Sequence, residues 1–324
     1  MDDIRWFAPN RFCTLVVPRL RRRGLAIALE GDGPARLAIA MDAQVAAQAY
    51  RYAARRRCPH LHYVWDLPPW RIGTGRHDWI WFASGWYVRL PRPGRRYAER
   101  PGYYSRLRYV ARHSSDVWVP STSTETSVWQ VFGVAGRRVP FCYDSDRFRL
   151  EPAPRPSSRL LLTVSRLTPP KNHAAVIRAA ARFAPKLPVR IIGQGAERRA
   201  LEGLAAELGV RCVIEDRLDD DAMVQAYRSA GVVVCPSRFE GFGLTPLEGI
   251  ACGRPVVASD IPAHREFLAD AVHFFPLDDD DGLTAAIAAA LESGPPSLRR
   301  DVLDPVTIEA AAERFAELLT PYLG

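Results

Sequence analysis

From residue 160 onward, short apolar runs alternate with longer stretches of helical spacing. Residues 160–164, 189–192, 211–214, 232–235 and 255–258 are short, mostly apolar and rich in β-branched side chains, which predicts strands. Between them, residues 173–183, 197–208, 221–230 and 245–251 carry the 3.6-residue period of helices. Largely apolar short strands alternating with helices predict βαβ units and a parallel sheet covered on both faces, a doubly wound α/β domain. The first half carries the same signals less cleanly. Residues 25–29, 37–40, 61–65 and 117–119 read as strands and 44–57 as a helix. A polar Ser/Thr turn follows residue 119, and residues 70–104, rich in Arg, Gly, Pro, Trp and Tyr, read as extended loops. Residues 308–319 predict a last helix, which either closes the second domain or crosses back to the first.

The segment 151–158 holds prolines at 152, 154 and 156 and no apolar period, so neither a helix nor a paired strand is expected there. It divides the 324 residues into an N-terminal Rossmann-like domain (1–150), a linker (151–158) and a C-terminal Rossmann-like domain (159–324). Two such domains in tandem predict a ligand cleft between the carboxyl ends of their strands. Charge changes sign at the same place. Residues 1–150 carry 25 Arg, no Lys and 12 acidic residues, a net of +13, whereas residues 151–324 are at −5. Lys171 and Lys186 are the only lysines of the chain. No apolar run is long enough to cross a bilayer, and the opening Met1-Asp2-Asp3 lacks a signal pattern, so a cytoplasmic protein is expected. Six scattered cysteines (13, 58, 142, 212, 235, 252) have neither disulfide-frame nor zinc-ligand spacing.

Candidate chemistry gathers where strands hand over to loops. Ser165-Arg166-Leu167, with Lys171 close behind, places two cations on one connection, where they can converge on a diphosphate. Phe239-Glu240-Gly241-Phe242-Gly243-Leu244-Thr245-Pro246-Leu247-Glu248 sets two carboxylates around a Gly-rich turn that opens a helix. Backbone amides there suit an anion, and carboxylates suit sugar hydroxyls. Glu248 also has a purely structural reading, because Thr245 to Glu248 forms a capping box with proline at the first helical position. Gly193-Gln194-Gly195 follows a strand and reads as a tight turn or a phosphate-side loop. The acidic runs 219–221 and 278–281 are read as a helix cap and a solvated loop rather than a metal site.

In combination these segments resemble the large retaining glycosyltransferase family 4, the group 1 glycosyltransferases of GT-B fold, which includes mannosyl- and glucosyltransferases of bacterial envelope polysaccharides. The resemblance runs over residues 160–275. It rests on Ser165-Arg166-Leu167 with Lys171, on Glu240 and Glu248 eight residues apart, on Ala251-Cys252-Gly253-Arg254-Pro255-Val256-Val257, and on Ile261-Pro262-Ala263-His264-Arg265-Glu266. It implies that Arg166 and Lys171 bind the donor diphosphate with help from the Gly243 and Leu244 amides. It further implies that Glu240 holds the transferred sugar, that Glu248 holds the ribose, and that Asp216-Arg217 lies near the nucleobase. Gly193 and Thr245 complete the donor-side set. The first half departs from the pattern. Phe7-Ala8-Pro9-Asn10 stands where a Gly-rich loop is usual, Trp65-Asp66 where His-Asp is common, and only Asp144 of Val139-Pro140-Phe141-Cys142-Tyr143-Asp144 matches. A shortened first domain is expected, with Trp65 and Asp66 on the acceptor side.

The reaction implied is transfer with retention at the anomeric carbon, by same-face attack assisted by the departing phosphate, with no metal or other cofactor. The expected donor is a nucleotide sugar, first GDP-mannose and next UDP-glucose. The expected acceptor is a glycan or a polyprenyl-diphosphate-linked chain. The Arg-rich first half is read as a solvated surface, as a patch that meets an anionic membrane at its inner face, or as a nucleic-acid surface; no nucleic-acid module is present, and no such partner is expected. Arg21-Arg22-Arg23, Arg55-Arg56-Arg57 and the arginines from Arg92 to Arg112, interleaved with Trp70, Trp79, Trp81, Trp86 and Tyr87, carry the membrane reading. The competing class is a nucleotide-sugar-binding protein with reduced catalysis. A pyridoxal-phosphate phosphorylase would need a Schiff-base lysine, and Lys171 already has a role.

Overall fold

The computed structural model describes residues 2–7, 11–41, 43–67, 79–81, 87–89, 103–150, 158–293 and 298–323. They form two compact units, one of residues 1–142 and 308–324 and the other of residues 143–307. The division thus falls after Cys142, before the Pro-rich segment, and the chain returns to the first unit at Ile308. Residues 151–157 of the expected linker lie outside the described residues.

The first unit holds β1 (Asp2–Phe7), α1 (Arg11–Arg22), β2 (Ile27–Leu29), β3 (Ala35–Ala40), α2 (Ala43–Arg56), β4 (His60–Tyr63), β5 (Trp79–Trp81), β6 (Tyr87–Arg89), α3 (Tyr103–His113), β7 (Asp116–Val119), α4 (Thr122–Phe132) and β8 (Arg137–Arg138). Six strands make one sheet in the order β2-β1-β3-β4-β7-β8, every pairing parallel. β5 and β6 form a separate antiparallel ribbon inside the expected loop region. Trp70, Trp86 and residues 92–102 of that region lie outside the described residues, as do residues 8–10.

β1, α1 and the start of α4 depart from the pattern reading, each for a physical reason. β1 is internal to the sheet, yet Asp2, Asp3 and Arg5 disguise it; Arg5 is buried because it pairs with Asp2 at 2.8 Å and donates to the Glu30 carbonyl. α1 buries Phe12, Cys13, Val16, Val17 and Leu20 along one stripe, which Pro18 and the arginines mask. The Ser/Thr segment after β7 is a helix start rather than a turn. Ser121 caps α4 by accepting the Thr124 amide, and Gly133 closes it in the left-handed region with its own amide on the Trp129 carbonyl.

The C-terminal helix (Ile308–Leu319) belongs to this unit because Phe315 completes an aromatic cluster. Its fully buried ring meets Trp118 at 5.2 Å, Phe12 at 5.3 Å, Trp6 at 6.1 Å and Tyr63 at 6.3 Å. Burial of one such side chain contributes about 1.5–3 kcal/mol, and the ring pairs add to it.

The second unit holds β9 (Leu161–Val164), α5 (His173–Ala181), β10 (Val189–Ile192), α6 (Arg198–Glu207), β11 (Cys212–Glu215), α7 (Asp220–Ser229), β12 (Val232–Cys235), α8 (Leu244–Ala251), β13 (Val256–Ser259), α9 (Pro262–Leu268), β14 (His273–Phe275), α10 (Asp280–Ser293) and α11 (Arg300–Leu303). The strands are parallel in the order β11-β10-β9-β12-β13-β14. β12 and β13 are buried at every position, as strands covered on both faces must be. Asp219 caps α7 by accepting the Ala222 amide, and Asp280 opens α10 while pairing with Arg178 at 2.6 Å. The acidic runs therefore serve helix starts and ion pairs, the second in place of a solvated loop. No helix among the described residues is long and apolar enough to cross a membrane.

Counted along the chain, this order is 3-2-1-4-5-6. It reverses between β9 and β12, the point at which open α/β sheets leave a crevice outside the carboxyl ends of their strands.

Candidate active site

The connections that leave β9 and β12 flank this reversal and are tied to each other. Lys171 ends a short 3-10 turn, Pro169–Lys171, and the Arg238 amide donates to the Pro170 carbonyl at 2.8 Å. Lys171 Nζ then donates to Glu240 Oε1 at 2.5 Å, with side-chain exposures of 14% and 21%. Burial alone would raise the Glu240 carboxyl. The Lys171 ammonium, His264 and hydrogen bonds from Lys171 and Ser237 together outweigh it and hold the group below its ordinary range. The Glu240 carboxylate is thereby kept charged beside Lys171, where the sheet opens.

His173, the first residue of α5, fixes the path of the β9 connection. Its ring is fully buried, with Nε2 at 2.9 Å from Ser165 Oγ and 3.3 Å from the Arg166 carbonyl, and Nδ1 at 3.3 Å from Thr163 Oγ1. A carbonyl only accepts, so Nε2 carries the proton and Nδ1 takes the Thr163 hydroxyl. Burial lowers this imidazole to about 4, which keeps it neutral. Arg166 itself is exposed, and its guanidinium has no hydrogen-bond or ion-pair partner among the described residues.

Gly193 and Gly195 serve close backbone approach. A Cβ on Gly193 would lie 1.8 Å from the Ser165 carbonyl oxygen, and one on Gly195 2.1 Å from that of Leu167. Without side chains the two connections run together, the Leu167 amide donating to the Gln194 carbonyl at 2.8 Å.

On the other flank, Gly243 adopts φ 102° and begins α8 without any side-chain cap. No cap side chain takes the first-turn amides of this helix, which leaves the positive end of its dipole for an anion. The expected capping box is absent. Thr245 Oγ1 donates to the Val164 carbonyl at 2.9 Å, and Glu248 accepts the Tyr227 hydroxyl at 2.5 Å. The helix begins at Leu244, one residue too early for Thr245 to cap it.

Two contributors escaped the sequence reading as site residues. Tyr227, on α7, has no motif around it that marks it. His264 lies in the recognised run, and its imidazole packs against Gly243, with Cδ2 at 3.2 Å from where a Cβ would stand. Its Nδ1 donates to the Ser259 carbonyl at 2.9 Å, which leaves Nε2 as an acceptor, buried and without a partner among the described residues. The ring is held neutral, burial lowering it against the opposing pull of Glu240.

The remaining expected residues lie elsewhere. Arg217 is exposed beyond β11, at the edge of the sheet, without a partner among the described residues, while Asp216 is engaged by Arg198. Trp65 and Asp66 follow β4 in the first unit. Trp65 is half-buried, with Nε1 on the Met41 carbonyl and its ring 3.9 Å from that of Phe141; Asp66 is exposed.

Two cations, a carboxylate and uncapped amides around one crevice suit an anionic ligand that also bears hydroxyl groups. Comparison with known proteins gives the class. The sequence model of the family described as glycosyl transferases group 1 matches residues 144–319, more than half of the chain, and the chain belongs to this family. It is similar to the phosphatidyl-myo-inositol mannosyltransferase of Mycolicibacterium smegmatis, 37% identical over 41% of this chain and 36% of that protein. It is also similar to the D-inositol 3-phosphate glycosyltransferase of Mycolicibacterium vanbaalenii, 35% identical over 51% of this chain and 41% of that one. The matched part thus spans less than half the length of these relatives. Among solved structures, Anabaena HepE in complex with UDP and glucose aligns with TM-score 0.67 and 15% identity over 100% of this chain and 97% of the other. Sucrose-phosphate synthase from Thermosynechococcus elongatus does so with TM-score 0.67 and 16% identity, over 100% and 95%. At such identity the likeness shows the fold alone, the GT-B fold with its two doubly wound domains.

Proposed function

We propose that this chain is a retaining glycosyltransferase that moves a hexose from a nucleotide sugar to a glycan or lipid-linked acceptor in envelope or exopolysaccharide synthesis. The observation that carries the reading is the Lys171–Glu240 pair at the strand-order reversal of the second unit, beside the uncapped start of α8. As the anomeric C–O bond breaks, negative charge grows on the departing diphosphate. Arg166, Lys171 and the Gly243 and Leu244 amides are arranged to stabilise that charge, and no metal is required for it. Glu240 accepts hydroxyls of the transferred sugar and Glu248 those of the ribose. Arg217 serves the nucleobase, while Gly193 and Thr245 shape the connections that frame the donor. Loss of the leaving group on the face from which the acceptor attacks retains the configuration, so the protein's part is positional and electrostatic.

GDP-mannose is the first donor to test, supported by the named mannosyltransferase relative; UDP-glucose is the second, supported by the UDP complex of HepE. The basic first half is proposed to meet anionic lipid at the cytoplasmic face, which pelleting with anionic vesicles at low and high salt would test. A second reading, nucleotide-sugar binding with reduced turnover, is favoured by one observation: Trp65 is engaged in packing and in a hydrogen bond to the Met41 carbonyl.

The test is a thermal-shift panel of GDP, UDP, GDP-mannose and UDP-glucose on the wild type and Arg166→Ala, followed by product analysis with the nucleotide that binds. Binding to the native state raises the melting temperature. A shift with one nucleotide, lost in the variant, supports the donor site and selects the base. Binding without transfer or donor hydrolysis supports the second reading, and no shift with any nucleotide overturns both.

A further inference from the structure

Tyr227 lies on α7 and Glu248 on α8, and the tyrosine hydroxyl donates to that carboxylate, with Thr245 as a further hydrogen-bond partner. Its side chain is 0% exposed, the hydroxyl donates to Glu248 Oε2 at 2.5 Å, and the ring stands edge-on to Phe148 at 5.3 Å. Burial first, and the Glu248 charge next, push the phenol well above its ordinary value, so it remains a donor throughout the working pH range. A glutamate in the middle of a short helix has several rotamers open to it, whereas a fully buried phenol does not. A carboxylate offers about four lone-pair sites on two oxygens. One is taken here by a rigid donor, and this constrains the plane of the carboxylate.

We propose that Tyr227 is a positioning residue: it holds the Glu248 carboxylate in the orientation that accepts ribose hydroxyls, and so sets the preference of this site for ribonucleotides over deoxyribonucleotides. The inference rests on the donor-site reading of Glu248 given above. It makes Tyr227 a determinant of nucleotide affinity without contact to the nucleotide, and it accounts for a fully buried phenol beside a half-buried carboxylate.

Calorimetric titration of the full chain with UDP and GDP and with their 2′-deoxy and 3′-deoxy counterparts tests it, using wild type, Tyr227→Phe and Glu248→Ala. Tyr227→Phe keeps the ring against Phe148. The expected result is about a tenfold loss of affinity for the ribonucleotide, as for a misplaced charge-assisted hydrogen bond, with little loss for the deoxy forms. The same substitution in the Glu248→Ala background should then change nothing. Equal losses for ribo and deoxy ligands, or an unchanged ribo-to-deoxy ratio, would reduce Tyr227 to a packing residue and overturn the proposal. A wild type that binds nucleotides without a ribose preference overturns this proposal alone, and one that binds none overturns the donor-site reading with it. In the wild type, the ¹³Cζ resonance of Tyr227 should move with UDP or GDP and not with the deoxy forms. That measurement keeps the question answerable if the phenylalanine variant does not fold.

Discussion

The two units share an architecture, six parallel strands in one sheet, and use it in opposite ways. In the second unit the strand-order reversal is polar. Lys171, Glu240, Ser237 and Thr245 are gathered around the ends of β9 and β12 and hydrogen-bonded to one another or to the backbone. In the first unit Phe12, Tyr63, Trp65, Phe141 and Phe315 join in one aromatic cluster, and on β4 the buried Nε2 of His60 and both ring nitrogens of His62 have no partner among the described residues. The contrast shows that a doubly wound sheet supplies only a place for chemistry. The side chains at the ends of its strands decide whether that place is used.

Four substitutions or conditions would break or sharpen the contrast. The largest effect is expected for Phe315→Ala, which empties the centre of the aromatic cluster; it should cost about 3–5 kcal/mol in urea unfolding of the first unit. Lys171→Ala should leave the fold in place and lower kcat by about 10²–10³-fold in a transfer assay, the usual cost of removing one charge-stabilising donor. An unchanged kcat would remove the second unit's claim to the chemistry. Gly193→Ala forces a methyl to 1.8 Å from the Ser165 carbonyl oxygen, so the β9 and β10 connections must part. A loss of about 1–3 kcal/mol in stability is expected, with weaker nucleotide binding in calorimetry.

The last concerns pH. Burial lowers His60 to about 3, with the neighbouring His62 adding to the shift, and lowers His62 itself to about 4, below the ordinary 6.5. The unfolded chain therefore binds protons that the folded chain refuses. The stability contribution is complete above about pH 6.5 and is lost as pH falls toward about 4, by about 1.4 kcal/mol per histidine per pH unit at most. His62→Leu should flatten that slope in melts between pH 6.5 and 4.5; an unaltered slope would mean that His62 reaches water.

How much could be read in advance differed between the units for the same reason. In the second unit, strands such as 232–235 are buried on both faces and so are apolar without interruption, and the helices between them keep their period. Each matched within a residue or two. In the first unit, charges intrude into buried elements. β1 was hidden by Arg5, whose partners Asp2 and the Glu30 carbonyl are brought to it by the fold. α1 was hidden by Pro18, and α4 by the serines and threonines that start it. In the site, Arg166, Lys171, Glu240 and Glu248 were all visible as charged residues near strand ends. Of the two readings open for Glu248, the capping box is absent, because a capping box and a tertiary contact to Tyr227 leave the same letters in the sequence.

The sequence by itself determined the periodicities, and with them the alternation of strands and helices, the parallel sheet of the second unit and the charged residues beside its connections. These follow from local rules, since each depends on which residue sits two, three or four positions away. Tertiary structure alone decided which connections meet. The reversal of strand order between β9 and β12 brings Lys171 to Glu240, though 69 positions part them in the chain. The same kind of long-range packing gave the C-terminal helix to the first unit, where Phe315 finds its aromatic partners, and gave Tyr227 to Glu248. Such pairings are set by the burial of whole faces, a cooperative quantity that no short stretch of sequence carries.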